Sequence, residues 1–148
     1  MTRTFLIMLA VISFSSVAAA QSGACTEAGV KAVKAVAAKG ALPTTSDSYF
    51  FSAALDKPVI GQRARQDAGD AVQASRKNES MVENTGRIIA DGTGNMAYEY
   101  GTVRISYDDA KSGKHEDFTS AYLRVWKSDR GACKVAAEMA QPENNSKD

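Results

Sequence analysis

Two segments of the chain have apolar residues at helical spacing. Segment 24–39 is rich in Ala, Val and Lys, and it ends at Gly40 and Pro43. Its apolar stripe consists of Val30, Val33 and Val36. Segment 62–76 carries a narrow face of small residues, namely Ala64, Ala68, Ala71, Val72 and Ser75. The pattern predicts two helices, and the small face of the second predicts close packing against another element.

Strand-like runs bounded by turn residues occupy most of the remaining chain. A short run at 48–53 lies between the two predicted helices, and Pro58 and Gly61 mark a loop after it. From residue 79 onward the chain alternates strands with tight turns, and the strands are predicted at 81–90, 95–107, 118–127 and 132–140. Helices followed by hairpin-linked strands predict an α+β fold in which N-terminal helices pack on an antiparallel sheet.

Strand alternation separates the residues of the two central strands into faces. Tyr98 and Tyr100 share one side of the strand at 95–107, whereas Glu99 lies on the other side with Ala97 and Val103. In the strand at 118–127, one side carries Phe118, Ser120, Tyr122, Arg124 and Trp126. Neither face is simply polar, so both are expected to be covered, one by helices and one by a pocket or a partner.

The first 20 residues have the pattern of a signal peptide. One positive charge, Arg3, precedes an apolar run of about ten residues, and small residues follow it. Small side chains at Ala18 and Ala20 predict cleavage between Ala20 and Gln21. The run is shorter than the roughly 20 residues of a spanning helix, so no stable membrane span is expected after cleavage. The chain is therefore predicted to be exported, either periplasmic or secreted, with a domain at 21–140 and a polar tail at 141–148.

Export changes the interpretation of Cys25 and Cys133, the two cysteines of the chain. An oxidising compartment favours a single long-range disulfide between them. Two alternatives stay open at this point: two separate buried thiols, or a lipid-modified Cys25 preceded by small residues. The spacing of the pair is not that of a redox CxxC motif.

Charge and composition exclude several classes of function. The chain has 148 residues with 18 Lys plus Arg and 17 Asp plus Glu, and removal of residues 1–20 with Arg3 leaves 17 of each sign. A neutral chain lacks the field that draws a protein to nucleic acid, so no nucleic-acid partner is expected. One His and two Cys are too few ligands for a structural zinc site. No metal and no cofactor are expected.

Five short motifs of the chain are distinctive: Asn-Met-Ala-Tyr-Glu-Tyr-Gly-Thr at 95–102, Ala-Tyr-Leu-Arg-Val-Trp-Lys at 121–127, the turn at 129–131, Lys-Val at 134–135 and Pro-Val-Ile-Gly-Gln at 58–62. Together they resemble the SnoaL-like family of unknown function in the nuclear transport factor 2-like superfamily. The resemblance runs in order from about Val30 to Pro142. It departs at Cys133, where the family usually has Trp. This swap implies a disulfide to Cys25 that joins the first helix to the last strand.

The resemblance implies a curved antiparallel sheet wrapped around helices to form a cone with an apolar cavity. Relatives of this fold include isomerases and cyclases as well as binding domains without catalysis, and many dimerise through the sheet, so fold alone does not assign an activity. A homodimer and a small apolar ligand are therefore the expected partners. No family motif for catalysis maps onto this sequence residue by residue.

The candidate catalytic groups are carboxylates. Glu99 lies in mid-strand among small and apolar residues, where an apolar wall would raise its pKa toward use as a general base. Asp56 is a second candidate. The alternative interpretation of Glu99 is a surface or interface carboxylate paired with an Arg or Lys across strands. His115 lies in a polar hairpin and is interpreted as a solvated loop residue. The candidate pocket residues are aromatic, with plain core or dimer surface as the alternative: Tyr49, Phe51, Tyr98, Tyr100, Tyr122 and Trp126.

Two functional hypotheses follow from these observations. The first is an exported, non-catalytic binding module that holds a small apolar ligand in its cavity or docks a partner on its sheet. The second is a cofactor-independent isomerase or cyclase that uses Glu99 or Asp56 with a tyrosine donor. The sequence favours the first, because it lacks a matched set of acid, donor and histidine.

Overall fold

The computed structural model describes residues 24–37, 41–52, 55 and 57–143. Its elements in chain order are α1 (Glu27–Ala37), β1 (Thr44–Ser52), β2 (Val59–Ile60), α2 (Gln62–Ala74), β3 (Arg76–Ala90), β4 (Met96–Asp109), β5 (His115–Asp129) and β6 (Ala132–Pro142). The predicted α+β class is confirmed, with two helices and one curved sheet of six strands. The predicted cleavage site between Ala20 and Gln21 and the candidate Asp56 lie outside the described residues.

The strands form one sheet in the order β2-β1-β6-β5-β4-β3. Neighbouring strands are antiparallel except β1 and β6, which pair in parallel with Phe50 opposite Glu138. The prediction of a purely antiparallel sheet is therefore wrong at this one pair. Parallel pairing needs a long connection rather than a hairpin, and here the connection includes α2 and four strands, β2 to β5. Local alternation is the same for both pairings, so the sequence pattern does not distinguish them.

Several element boundaries also differ from the sequence-based predictions. β1 begins at Thr44, before the predicted strand, and β2 occupies part of the predicted loop between Pro58 and Gly61. Since β1 and β2 precede α2, the two helices do not both come before the sheet. β6 continues to Pro142 and takes in the first two residues of the predicted tail. Extension of β1 and β6 along each other satisfies backbone groups that a loop or tail would leave to water.

The hydrophobic core lies between α1 and the sheet. Val30 of α1, Trp126 of β5 and Val135 of β6 are all 0% exposed and belong to one apolar cluster. Cys25 and Cys133 belong to the same cluster and form a disulfide with their Cα atoms 5.0 Å apart. The bond joins the residues just before α1 to the start of β6, and it holds the helix on the sheet.

Strand alternation is confirmed in β4 and β5. Ala97 and Glu99 are 3% and 0% exposed, whereas Tyr98 and Tyr100 are each 44% exposed. In β5, Tyr122 is buried and Leu123 is 41% exposed. We call the face toward the helices the inner face and the opposite face the outer face. Residues of these strands are buried where they lie on the inner face, which packs against α1 and the core.

The second helix packs less closely than its small face predicts. No residue of α2 is buried, and Val72 is 43% exposed. It contacts β1, β2 and β3. The Arg65 guanidinium lies over the Phe50 ring, with 4.9 Å between its central carbon and the ring centroid. The prediction that the small face of α2 packs closely against another element is wrong, because four of its five residues are exposed and only Ala68 is half-buried.

Candidate functional site

The inner face carries a row of charged residues on three adjacent strands. Glu99 on β4 is paired with Arg124 on β5, and Arg124 is paired with Glu138 on β6. The three residues are 0%, 7% and 9% exposed in that order. Because directly opposed residues of neighbouring strands point to the same face, the register places opposite charges side by side inside the fold.

Each helix adds one cation to an end of this row. Lys34 of α1 donates a hydrogen bond to Glu99 Oε1 and pairs with Glu83 on β3. Arg65 of α2 donates to Glu138 Oε2. We call these six residues the inner charge cluster, and their charges cancel: Lys34, Arg65 and Arg124 against Glu83, Glu99 and Glu138.

Glu99 accepts hydrogen bonds at both carboxylate oxygens. Trp126 Nε1 donates to Oε2 at 3.0 Å, and the Tyr122 hydroxyl donates to Oε1 at 2.9 Å. Thr85 Oγ1 donates to Oε1 at 3.2 Å, beside the Lys34 ammonium. The expected apolar wall around Glu99 is therefore absent, because polar groups from α1, β3 and β5 surround the carboxylate. Both carboxylate oxygens of Glu99 are therefore engaged by donors within the fold.

The ionisation of neighbouring groups follows from the same contacts. Burial alone would raise the pKa of Glu83, but the hydrogen bond from Lys34 and the charge and hydrogen bond of Arg124 outweigh it and lower the pKa to about 2. Burial raises the pKa of the Tyr122 phenol, and the adjacent Glu99 charge adds to the effect. Tyr122 is therefore a neutral hydrogen-bond donor across the physiological pH range.

Some polar atoms beside the cluster make no hydrogen bond to the described chain. Arg65 Nη1 and Arg124 Nε are buried without such a partner, although Arg124 Nε lies 3.4 Å from Glu138 Oε1. Thr45 Oγ1 and Ser48 Oγ on β1 are also buried without a hydrogen-bond partner in the described chain.

The outer face carries an uncharged patch of aromatic and aliphatic side chains on β1, β6, β5 and β4. One row of paired residues consists of Phe51, Met139, Leu123 and Tyr100, and the next consists of Tyr49, Ala137, Val125 and Tyr98. Tyr49 and Phe51 stack with ring centroids 6.2 Å apart. We call these eight residues the outer patch. Six of them are large hydrophobic side chains at least 39% exposed: Phe51, Met139, Leu123, Tyr100, Tyr49 and Tyr98.

The structure thus divides the predicted aromatic residues between two places. Tyr122 and Trp126 meet Glu99 on the inner face. The other four pocket candidates lie on the outer face and do not line a common cavity with Glu99: Tyr49, Phe51, Tyr98 and Tyr100. The two sets lie on opposite faces of the sheet, so no single pocket contains both.

Two open depressions on the surface lie away from the inner charge cluster. A groove of about 720 Å³ runs between α1 and the start of β6, and Val33, Val36 and Ala132 contribute to its apolar lining. A depression of about 870 Å³ lies at the start of α2, between Ser46 and Asp67. Glu99 lines neither of them. These depressions therefore do not supply the predicted Glu99 cavity.

Most residues of the inner charge cluster were not identified as site residues from the sequence. Arg124 was placed on the face of Tyr122 and Trp126, and a charged residue in such a position is the signal that identifies it. Lys34 and Arg65 appear in sequence as solvated positions of helical surfaces. Their inward direction depends on how each helix sits on the sheet, which no local pattern specifies.

In the ranges that the structure describes, no three His, Cys, Asp or Glu side chains are grouped as a metal site would require. Across those ranges, no helix has the length and apolar character needed to cross a bilayer.

No protein-family model and no curated protein matches the sequence. Solved structures do match the fold. A ketosteroid isomerase-like protein from Erwinia carotovora atroseptica aligns with a TM-score of 0.62 at 12% identity, over 74% of this chain and 80% of that one. A nuclear transport factor 2-like superfamily protein from Salmonella enterica aligns with a TM-score of 0.59 at 12% identity, over 71% and 74% of the two chains.

A third structure extends the comparison to proteins without an assigned function. An uncharacterised protein with a cystatin-like fold from Caulobacter vibrioides aligns with a TM-score of 0.56 at 12% identity, over 78% of this chain and 79% of that one. Together these similarities confirm the expected nuclear transport factor 2-like fold. Proteins that share a fold at this level of identity need not share an activity.

Proposed function

We propose that this protein is an exported binding module of the nuclear transport factor 2-like fold, and that it docks a second copy of itself through the outer patch. The observation that carries the proposal is the exposed, uncharged patch across four strands. Monomeric soluble proteins rarely leave so many large apolar side chains side by side in water. In this proposal the inner charge cluster stabilises the fold, and the outer patch makes the contact with the second copy.

A second copy is the occupant that the charge pattern favours. In a two-fold symmetric contact each residue meets the same surface on its partner, so charged residues near the axis face like charges. Neither row of the outer patch contains a charged side chain, and the nearest charge along the first row is Arg87 on the edge strand β3, opposite Tyr100. Tyrosine hydroxyls at Tyr98 and Tyr100 add polar tips to an otherwise apolar contact, as is common in interfaces.

The oligomeric state of the purified protein tests this proposal. Light scattering coupled to size-exclusion chromatography over a concentration series is expected to show a dimer. Leu123→Arg places a charge in the middle of the patch and is expected to shift the protein to monomer. Val36→Arg is the matched control, because Val36 is an 83% exposed apolar residue of α1 away from the patch.

Two results would overturn docking of a second copy. One is a wild-type monomer at every concentration, and the other is a dimer that Leu123→Arg leaves intact. Trp126 fluorescence and thermal unfolding show that each variant is folded, since Trp126 is 0% exposed in the core. A wild-type monomer that still binds a different protein through Leu123 would keep the binding-module class and replace the partner.

A cofactor-independent isomerase is the second candidate function. The observation in its favour is the buried Glu99 carboxylate 2.9 Å from the Tyr122 hydroxyl, a carboxylate and a neutral donor of the kind used in proton transfer next to a carbonyl. Lys34 and Trp126 also donate hydrogen bonds to the Glu99 carboxylate, so they compete with a substrate for its oxygens. Turnover of a β,γ-unsaturated ketosteroid that Glu99→Gln abolishes would support it, and binding without turnover would support the binding module.

Export rests on the N-terminal pattern and on the disulfide. Disulfides persist in oxidising compartments, and Cys25 and Cys133 are bonded. This bond also excludes lipid modification of Cys25 in the same molecule, because the sulfur is already used. Intact-mass spectrometry of the exported protein is expected to find a chain that starts at Gln21 and lacks two thiol hydrogens. A chain that keeps residues 1–20 would contradict the proposal.

A further inference from the structure

A serine, a histidine and an aspartate form a chain of hydrogen bonds next to the turn of the β4–β5 hairpin. His115 Nδ1 lies 2.8 Å from Asp108 Oδ1, and His115 Nε2 lies 3.3 Å from Ser106 Oγ. The strand register pairs Asp108 directly with His115. The array is outside the inner charge cluster and outside the outer patch.

The second oxygen of the aspartate is also held. Asn78 on β3 donates from Nδ2 to Asp108 Oδ2 at 2.8 Å. Asn78 has a φ of 52°, in the left-handed region that asparagine tolerates better than most residues. It lies where the β3–β4 register shifts, between Lys77 and Ser80. Both oxygens of Asp108 therefore have a defined partner, and the carboxylate is fixed in orientation toward the imidazole.

This order of groups is the one that activates a serine. A carboxylate that accepts Nδ1–H holds the imidazole in the tautomer whose Nε2 is an acceptor, and Nε2 then takes the hydroxyl proton as the oxygen attacks. The hydrogen bonds from Asn78 and His115 lower the pKa of Asp108, which keeps it ionised in support of this role. The separations are within those expected for such an array before substrate binds.

The array is accessible to a reagent from solution. The His115 side chain is 63% exposed, and Ser106 is half-buried. An open surface gives little stabilisation to a developing oxyanion, in contrast to a closed site with preorganised donors. The acyl donors that suit it are therefore esters of acidic alcohols or phenols, whose leaving group departs with the least assistance.

We propose that Ser106 is a nucleophile for activated esters, with His115 as its base and Asp108 as the positioning residue of His115. Ser106 Oγ forms a bond to the ester carbonyl carbon while His115 Nε2 takes the proton of the Ser106 hydroxyl. The carbonyl–oxygen bond to the leaving group then breaks, and that group leaves as the alcohol or phenol with the proton. Water, deprotonated by His115, later releases the acid and restores Ser106. This activity is independent of the proposed docking through the outer patch.

The probe is 4-nitrophenyl acetate, with acetylated peptides mapped by mass spectrometry. The wild-type protein is expected to carry acetyl on Ser106 during turnover. Ser106→Ala removes that label, and His115→Gln lowers its rate of formation at least ten-fold, since a positioned general base typically contributes more than that. Ser112→Ala is the matched control, because this serine of the same hairpin bonds to Asp109 and not to His115.

The role of Asp108 has a spectroscopic readout. The chain contains one His, so its imidazole ¹⁵N signals belong to His115 alone. Asp108→Asn presents an amide N–H to Nδ1, which reverses the tautomer; the expected result is an exchange of the two ¹⁵N shifts and a slower acetylation with unchanged thermal stability. Asp108→Glu is expected to restore the original tautomer in part.

Three outcomes would overturn the proposal. They are acetylation of Ser106 no faster than that of Ser112, a Ser106 rate that His115→Gln leaves unchanged, and a tautomer that Asp108→Asn does not alter. Failure of the docking experiment does not affect these measurements, since they report on Ser106 chemistry in either oligomeric state.

Discussion

Trp126 donates its indole N–H to Glu99 Oε2 across 3.0 Å, and both residues are 0% exposed. The other oxygen of Glu99 receives the Tyr122 hydroxyl and the Lys34 ammonium. A buried carboxylate with partners on both oxygens is a fixed acceptor around which neighbouring elements are arranged. Glu99 therefore connects α1 to β4 and β5 through polar contacts within the fold.

Neutralising Glu99 is expected to destabilise the fold. In Glu99→Gln the Lys34 ammonium remains next to a side chain that no longer balances its charge, and breaking such a buried pair costs about 3–5 kcal/mol. Urea unfolding measures the loss. Addition of Lys34→Met to Glu99→Gln is expected to recover part of the loss, because removal of one cation restores the balance of charge in the inner charge cluster.

The matched control for Glu99→Gln is Glu116→Gln. Glu116 pairs with Lys114 on the surface, where ion pairs contribute about 0–1 kcal/mol. Equal losses of unfolding free energy in the two variants would show that the buried contacts of Glu99 have no special weight.

Glu83 makes the fold sensitive to acid. Its pKa is lowered to about 2 in the folded chain from an ordinary value near 4.5, as the Lys34 and Arg124 contacts outweigh burial. The folded state thus holds the proton more weakly than the unfolded state, so the contribution of Glu83 is present above pH 4.5 and is lost as the pH falls toward 2. The difference in unfolding midpoint between wild type and Glu83→Gln is expected to narrow over this interval. A difference that stays constant from pH 6 to pH 2 would rule this out.

The disulfide is expected to be both stabilising and protected. It closes a loop with a sequence separation of 108, for which the chain-entropy model gives about 4.7 kcal/mol, and loss of native disulfides typically costs about 2–5 kcal/mol. Cys25 and Cys133 are 0% and 3% exposed. A water-soluble thiol reductant should release free thiols only after denaturant is added. Rapid reduction of the native protein would contradict this burial.

Gly101 is expected to tolerate no side chain. A Cβ there would lie 2.3 Å from the backbone oxygen of Asn84 and 2.9 Å from the Tyr122 hydroxyl. Gly101→Ala is expected to destabilise the protein by about 1–3 kcal/mol through overpacking and displacement of Tyr122. Gly69 in α2 is the control, since a Cβ there meets no atom within 4 Å. Gly69→Ala is expected to stabilise by about 0.5–1 kcal/mol, because alanine is the better helix former. The same sign for both substitutions in urea unfolding would refute the steric argument.

The faces of the central strands were predictable from sequence because successive side chains of a regular strand point to opposite faces. This rule placed Glu99 opposite to Tyr98 and Tyr100, and the structure confirms it. The same rule did not show that Tyr122 and Trp126 would meet Glu99, since that contact depends on the register between β4 and β5. A one-residue change in register would reverse every such pairing.

The contact between Asp108 and His115 was not predicted, because the predicted hairpin loop began too early in the chain. The sequence-based hairpin loop included Asp108 and Lys114, so His115 was interpreted as a solvated loop residue next to it. In the structure both strands extend further, and Asp108 and His115 form the last pair of the β4–β5 ladder. The alternation of side chains follows from the sequence, but the length of the β4–β5 ladder depends on the pairing between the two strands.

The sequence alone determined the class of elements, the alternating faces of β4 and β5, and the two cysteines available for a disulfide, because each depends on spacing within a short stretch of chain. The tertiary structure decided the parallel pairing of β1 with β6 and the contact of Lys34 with Glu99, which lie 65 residues apart. Charge balance inside the fold is a property of elements brought together from distant parts of the chain. For that reason Lys34, predicted as a solvated residue of α1, is a counterion of the buried Glu99 carboxylate.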